Sequence, residues 1–232
     1  MPRGVAVKVW GDYACFSRPE FKVERVSYPV ITPSAARGVL EAIFWKPEIR
    51  YEVREIGVLS IGTQAAILRN EISERQGAGP LVAQEIRQQR TSLVLKNVAY
   101  VVRAEVALRA HARTEVGGYL DQFNRRVEKG RCHHTPCLGT RECAAFFEAP
   151  RANDSADSRI DLPIGQMLFD IAFVEAAEGP EDLCFLKHDA AGVRKVHGRA
   201  VPLFFDARVS EGVLTVPREK YVELYAMEAG HA

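Results

Sequence analysis

At 232 residues, 47% hydrophobic and 26% charged, the chain has the length and balance of a soluble globular protein with one large domain or two small ones. Its net charge of +1 conceals an asymmetry: residues 103–141 carry eight Arg/Lys against four Asp/Glu, a local +4, and residues 142–182 carry two Arg against ten Asp/Glu, a local −8. A basic middle beside an acidic segment suits a polyanionic partner on one face. With five cysteines, no apolar signal core and no apolar run near the roughly 18 residues of a membrane span, the expectation is a cytoplasmic protein with reduced thiols and no membrane partner.

Val5, Val7 and Val9 alternate with Ala6, Lys8 and Trp10, which predicts a half-buried strand. Residues 11–30 read as a connection in which Tyr13, Phe16, Arg18, Phe21, Lys22, Arg25 and Tyr28 interleave aromatic and basic side chains. That mixture suits single-stranded RNA, whose unstacked bases need π-faces and whose phosphates need cations; aromatics in a turn also serve as core plugs. In the stretch 28–61, YPVITPSAARGVLEAIFWKPEIRYEVREIGVLSI, Thr32 and Ser34 flank Pro33 as a helix opening. Ala36, Val39, Leu40 and Ile43 then fall on one apolar face, and Arg37 and Glu41 are spaced to pair on the other. Pro47 stops the helix, and a strand follows with Tyr51, Val53 and Val58. Gly38 sits mid-helix at a cost of roughly 1 kcal/mol, which predicts a close approach to its backbone, most simply by the helix's own sheet.

Residues 62–91 read as an inserted basic loop or hairpin carrying Gly77, Gly79, Pro80, Arg69, Arg75, Arg87 and Arg90; GAGP lacks the lysine of a phosphate loop. SLVLKNVAYVVRAEVALRA is strand-like, with Val101, Ala104, Val106 and Leu108. Leu120, Phe123 and Val127 mark a helix closed by Gly130, and residues 142–147 supply a further strand. Two strand-helix-strand units in succession predict an α+β, ferredoxin-like domain over 1–149. The tract PRANDSADSR is a natural boundary, and 150–232 reads as a small antiparallel β-rich domain from IGQMLFDIAFVE, DLCFLKH, AVPLFFDARV and GVLTVP, with EAGHA as a frayed tail.

CHHTPCLGTREC places Cys132, His133, His134, Cys137 and Cys143 together. These are zinc-ligand types, but the spacing has no second C-x₂-C pair, so structural thiols are expected and no metal. Neither a Ser-His-Asp signature, a pair of catalytic carboxylates nor a dinucleotide fingerprint stands out.

GDYACFSRPEFKVERVSYPVITPSAARGVLEAIFWKP closely resembles the opening of the Cas-five proteins of type I-C CRISPR systems (the Dvulg subtype). LDQFNRRVEKGRCHHTPCLGTRE resembles the family's central segment, and FDARVSEGVLTVP extends the likeness over nearly the whole chain. The resemblance implies an RNA-recognition-like fold of the RAMP superfamily and, without cofactor, metal-independent cleavage of precursor CRISPR RNA at the base of the repeat hairpin. The protein would then stay on the 5′ handle of the guide RNA in the Cascade complex. Its implied partners there are the Cas-seven backbone and Cas-eight large subunits, with target DNA reached through the complex. Other Cas-five subtypes cap the handle without cutting, which is the alternative.

The family uses a tyrosine in the segment matching AIFWKP and a Lys-His pair before the LDxF helix. Those positions read Phe44, Gly118 and Tyr119 here, so the family's proton-transfer groups are missing. The expected substitutes are Tyr119, an acid or hydrogen-bond donor whose phenol class makes a poor base, and His134 about one turn beyond the helix. Candidate RNA-binding residues are Tyr13, Arg18, Lys22, Arg25, Lys46, Arg125, Arg126, Lys129 and Arg131.

Overall fold

The computed structural model describes residues 4–230 except 22, 75, 76, 78 and 177–182. Alternating valines build β1 (Gly4–Ala14), which runs beyond the expected strand to Ala14. A short β2 (Arg25–Val26) leads into α1 (Pro33–Ile43). The helix opens as its sequence dictates: Pro33 occupies the first turn and the Thr32 hydroxyl accepts from the Ala35 amide at 3.2 Å. It ends at Ile43, before the reach of Pro47, because Phe44 turns to extended backbone and enters the core.

Strands β3 (Ile49–Ser60) and β4 (Thr63–Ile72) both pair with β5 (Arg87–Leu108), a strand of 22 residues. Gly62 makes the kink between them with a positive φ of 73°, and a side chain there would meet the Lys96 carbonyl at 2.3 Å. Residues 62–91, expected as an inserted loop or hairpin, are the outer half of this β4–β5 ribbon. Next come α2 (Val116–Glu128) and β6 (Phe146–Glu148).

In the sheet the order β6-β1-β5-β3 is antiparallel throughout, with α1 and α2 as the crossovers. This is the split βαβ arrangement that the two units predict. Beyond residue 150, β7 (Leu162–Glu175), β8 (Leu183–Asp189) and β9 (Gly192–Ser210) form antiparallel pairs. The three-residue β10 (Val213–Thr215) pairs with both β9 and β3, so a single sheet continues across the polar tract.

The last element, α3 (Arg218–Ala229), was not expected from the sequence, in which 150–232 reads as β-rich and EAGHA, residues 228–232, as a frayed tail. Gly230 closes it in the left-handed conformation at φ 79°. Only Tyr221 and Leu224 are buried while Val222 is exposed, so no clean apolar stripe announces the helix. It docks through the Tyr221 hydroxyl, which donates to the Val53 carbonyl at 3.3 Å, and through edge-on packing of Tyr221 on Phe169.

Arg37 forms the predicted pair with Glu41 at 2.8 Å and also a two-pronged one with Asp170 of β7, at 2.7 and 2.8 Å. Asp170 is buried, so this contact fixes α1 to a strand more than a hundred residues away. Asp170→Ala removes the buried partner of Arg37, which keeps Glu41, and is expected to lower stability by about 1–3 kcal/mol in urea unfolding. Gly38 departs from expectation: a Cβ there would meet nothing within 4 Å, and the residue is exposed on the outer face of α1. Gly38→Ala is therefore expected to raise stability by about 0.5–1 kcal/mol in the same measurement.

Candidate RNA-binding and catalytic site

The end of α1 leaves carbonyls without partners inside the helix, and its last turn carries no basic residue. Three other segments supply the missing donors. The His133 and His134 amides reach the Ala42 carbonyl at 2.7 and 3.3 Å, and an Arg126 guanidinium nitrogen donates to the Ile43 carbonyl at 3.2 Å. The Tyr51 hydroxyl donates to the Phe44 carbonyl at 2.7 Å. Arg126 also lies over the Phe44 ring, 5.6 Å from its centroid. The positive group thus sits at the negative end of the helix dipole.

The same contacts gather the cations. The C-terminal turn of α2 and the segment after it form a bowl of about 600 Å³ lined by Gln122, Arg125, Arg126, Lys129, Gly130, Arg131 and Cys132. Four of the predicted RNA-binding residues therefore face one depression, and no carboxylate lines it. Among the described residues none of the four is in an ion pair, and Arg125, Lys129 and Arg131 are exposed. Gly130 turns the chain with φ 59°, and the Arg131 amide returns to the Arg126 carbonyl at 2.8 Å, which folds Arg131 back towards α2. Four unneutralised cations around one concavity are suited to phosphates.

The histidines follow this bowl directly. His133 and His134 are exposed, their rings edge to face with centroids 5.7 Å apart, and their amides are pinned to α1. Tyr119 is placed differently: at 7% exposure it shares the core face of α2 with Phe123 and Val127. Phe44, in the position of the family's tyrosine, is 2% exposed and serves as the platform under Arg126. Lys46 is exposed two residues beyond it.

Of the upstream candidates, Tyr13 is 41% exposed with Lys96 over its ring at 5.6 Å. Arg18 stacks on the Tyr28 ring at 4.6 Å and pairs with Glu20 at 3.1 Å. Arg25 pairs with Glu71 and Glu142, and Glu71 also takes Arg69 and Arg90. In the β4–β5 ribbon Arg69 and Arg90 thus share one carboxylate, Glu71, while Arg87 is exposed. Lys22 and Arg75 lie outside the described residues.

The segment bearing the cysteines acts as a strap. From Ala42 it crosses to the residue just after β1, where the Cys15 amide donates to the Leu138 carbonyl at 3.0 Å. Gly139, at φ 87°, lies so close to Cys15 that any side chain would collide with the Cys15 carbonyl at 2.0 Å. Burial raises the Cys137 and Cys143 thiols above their usual range, so both remain protonated near neutrality. Among the described residues no three His, Cys, Asp or Glu side chains are grouped as metal ligands, and no helix is long and apolar enough to cross a membrane.

A family model described as CRISPR-associated protein (Cas_Cas5) matches residues 4–217. A Thermus thermophilus protein named CRISPR pre-crRNA endoribonuclease Cas5d is 61% identical over 226 residues, 97% of this chain and 96% of that one. A Mannheimia succiniciproducens protein of the same name is 39% identical, covering 94% and 96% of the two chains. Among solved structures, one titled as a CRISPR-associated protein superposes with TM-score 0.63 at 20% identity, over 94% of each chain. A functionally uncharacterized Streptococcus mutans protein does so with TM-score 0.62 at 16% identity, again over 94% of each. These two likenesses concern the fold.

The electrostatics of the bowl generate a direct expectation for single-stranded RNA binding measured over a salt series. Replacing Arg125, Lys129 or Arg131 by Ala should each flatten the logarithmic salt slope by about 0.7. Arg18→Ala and Arg25→Ala should flatten it less, because carboxylates already neutralise those cations.

Proposed function

The chain belongs to the CRISPR-associated Cas5 family, and on that premise we propose that it is a pre-crRNA endoribonuclease, the activity for which its relatives are named. The observation that carries the reading is the bowl of four unneutralised cations beside the exposed His133–His134 pair. Phosphates of the repeat RNA sit on Arg125, Lys129 and Arg131, and the scissile phosphate lies towards the histidines. Arg126 is held by α1 and offers a fixed positive charge at the rim.

The chemistry follows from what such a site can supply. The ribose 2′-OH next to the scissile bond attacks phosphorus, a five-coordinate phosphorane forms, and the 5′ oxygen leaves with a proton. The products are a 2′,3′-cyclic phosphate and a 5′-OH, and the nucleophile comes from the RNA itself. His134 exchanges the proton, and the guanidinium and ammonium groups stabilise the added negative charge. Tyr119 stands where the family has its histidine, but its ring belongs to the core, so His134 is the main proton-transfer residue. The relocation accounts for an endoribonuclease whose sequence reads Phe44, Gly118 and Tyr119 at the family positions.

After the cut the protein keeps the 5′ handle of the guide on the same cations. Assembly into Cascade with the Cas-seven backbone and the Cas-eight large subunit, and access to target DNA through that complex, complete the proposal.

The test uses the cognate repeat RNA with purified protein in EDTA. Cleavage is expected for the all-ribose RNA and not for one with a 2′-deoxy residue at the cut. His134→Ala should slow single-turnover cleavage about 10²- to 10⁴-fold with little change in RNA affinity. Tyr119→Phe, which keeps the packed ring, should cost far less. Tight binding without cleavage by the unmodified protein would overturn the enzymatic reading.

A further inference from the structure

A second concavity, of about 500 Å³, opens between α1, the start of β3, strands β7 and β8, and α3. Its charges are mostly matched. Arg37 is held by Asp170 and Glu41, Arg50 by Glu228 at 2.6 Å, and Lys187 by Glu175 at 2.9 Å. Because Arg37 takes two carboxylates, one cation is without a salt bridge, while Glu41, Asp170 and Glu228 also line the cleft. Arg109, immediately after β5, lines the cleft without an ion-pair partner among the described residues, and its Nε is shielded from solvent with no acceptor. Burial, reinforced by the nearby Arg50 charge, holds the Arg109 guanidinium below its usual value. A buried donor without an acceptor is costly, and an incoming anion would relieve it.

The wall beside this cation is aromatic. Trp45 is 40% exposed and meets His188 edge to face at 5.3 Å, and Arg50 lies over the Tyr225 ring at 4.3 Å. A guanidinium without a salt bridge and an accessible indole lining one cleft suit a ligand that joins a flat ring to a phosphate. Position narrows the choice. Trp45 directly follows Phe44, whose ring carries Arg126 of the phosphate bowl, so the bowl and the cleft meet the end of α1 at adjacent residues. We propose that this cleft takes one nucleotide of a single nucleic-acid strand, with its phosphate on Arg109 and its base against Trp45. The inference rests on the reading of the α2 bowl as the RNA-binding site and extends that interface to a second, base-stacking subsite.

The chain has two tryptophans, so Trp10→Phe leaves Trp45 as the sole indole reporter. The probe is a 5′-phosphorylated triadenylate, in ribose and in deoxyribose form, titrated against Trp45 fluorescence. Saturable quenching by the ribose form is expected, and Arg109→Gln should weaken it about tenfold, the loss of one charge-assisted contact. Quenching by the ribose form alone assigns the cleft to RNA; equal quenching by both assigns it to a strand of either sugar. Lys129→Ala should leave the quenching unchanged while weakening binding of the whole repeat RNA. The absence of quenching by both trinucleotides, or equal quenching in Arg109→Gln, overturns the subsite. Cleavage of repeat RNA by the same preparations reports separately on the main reading.

Discussion

The site hangs on the unfinished end of one helix. Helix α1 stops at Ile43 without a glycine cap or a basic last turn, so its final carbonyls need donors from elsewhere. The fold supplies them from the strap at His133–His134, from Arg126 on α2 and from Tyr51 on β3. Each of these bonds satisfies a polar group that would otherwise be costly in the interior. Together they hold the C-terminal turn of α2 and the histidine segment against α1. The cationic bowl is a consequence of that junction.

Charge pairing then decides which cations are available to a ligand. In the β2 segment and the β4–β5 ribbon, Arg18, Arg25, Arg69 and Arg90 face glutamates of the same chain. Around the α2 terminus no carboxylate lines the bowl. The two regions look alike when basic residues are counted along the chain, and they differ in the free charge they present. Arg109 makes the same point in the cleft by α3, where every neighbouring cation is matched and one is not.

The C-terminal part stabilises the site from behind. Asp170 of β7 grips Arg37 in the middle of α1, and the Tyr28 hydroxyl, upstream of the helix, accepts from the Leu168 amide at 3.2 Å, so the α1 region is tied to β7 at two points. α3 fills the remaining space with Tyr221 against Phe169 and with Tyr225, whose hydroxyl donates to Glu52 at 2.9 Å.

Much of this was legible in the sequence because it is local. Period-two valines define β1, Thr32 and Pro33 open α1, and the Arg37–Glu41 spacing gives their pair, while the family resemblance implied the ferredoxin-like topology. Long motifs also carried the family, and a count of charges located the basic middle. Elements without a clean periodicity were not legible, such as α3, and for 62–91 the sequence left loop and hairpin open, where the structure has an antiparallel pair. Nor does sequence show what stands near Gly38, or whether a given arginine meets a glutamate, because those neighbours come from distant segments. The sequence by itself determined β1, α1, α2 and the main strands through short-range sterics and periodicity, the family through its long motifs, and the stock of candidate cations. Only the tertiary structure decided that Arg125, Arg126, Lys129 and Arg131 share a carboxylate-free bowl beside His134, that Tyr119 turns into the core, and that Arg109 is left unmatched. Burial and charge neutralisation depend on which remote segments meet, and packing alone settles that.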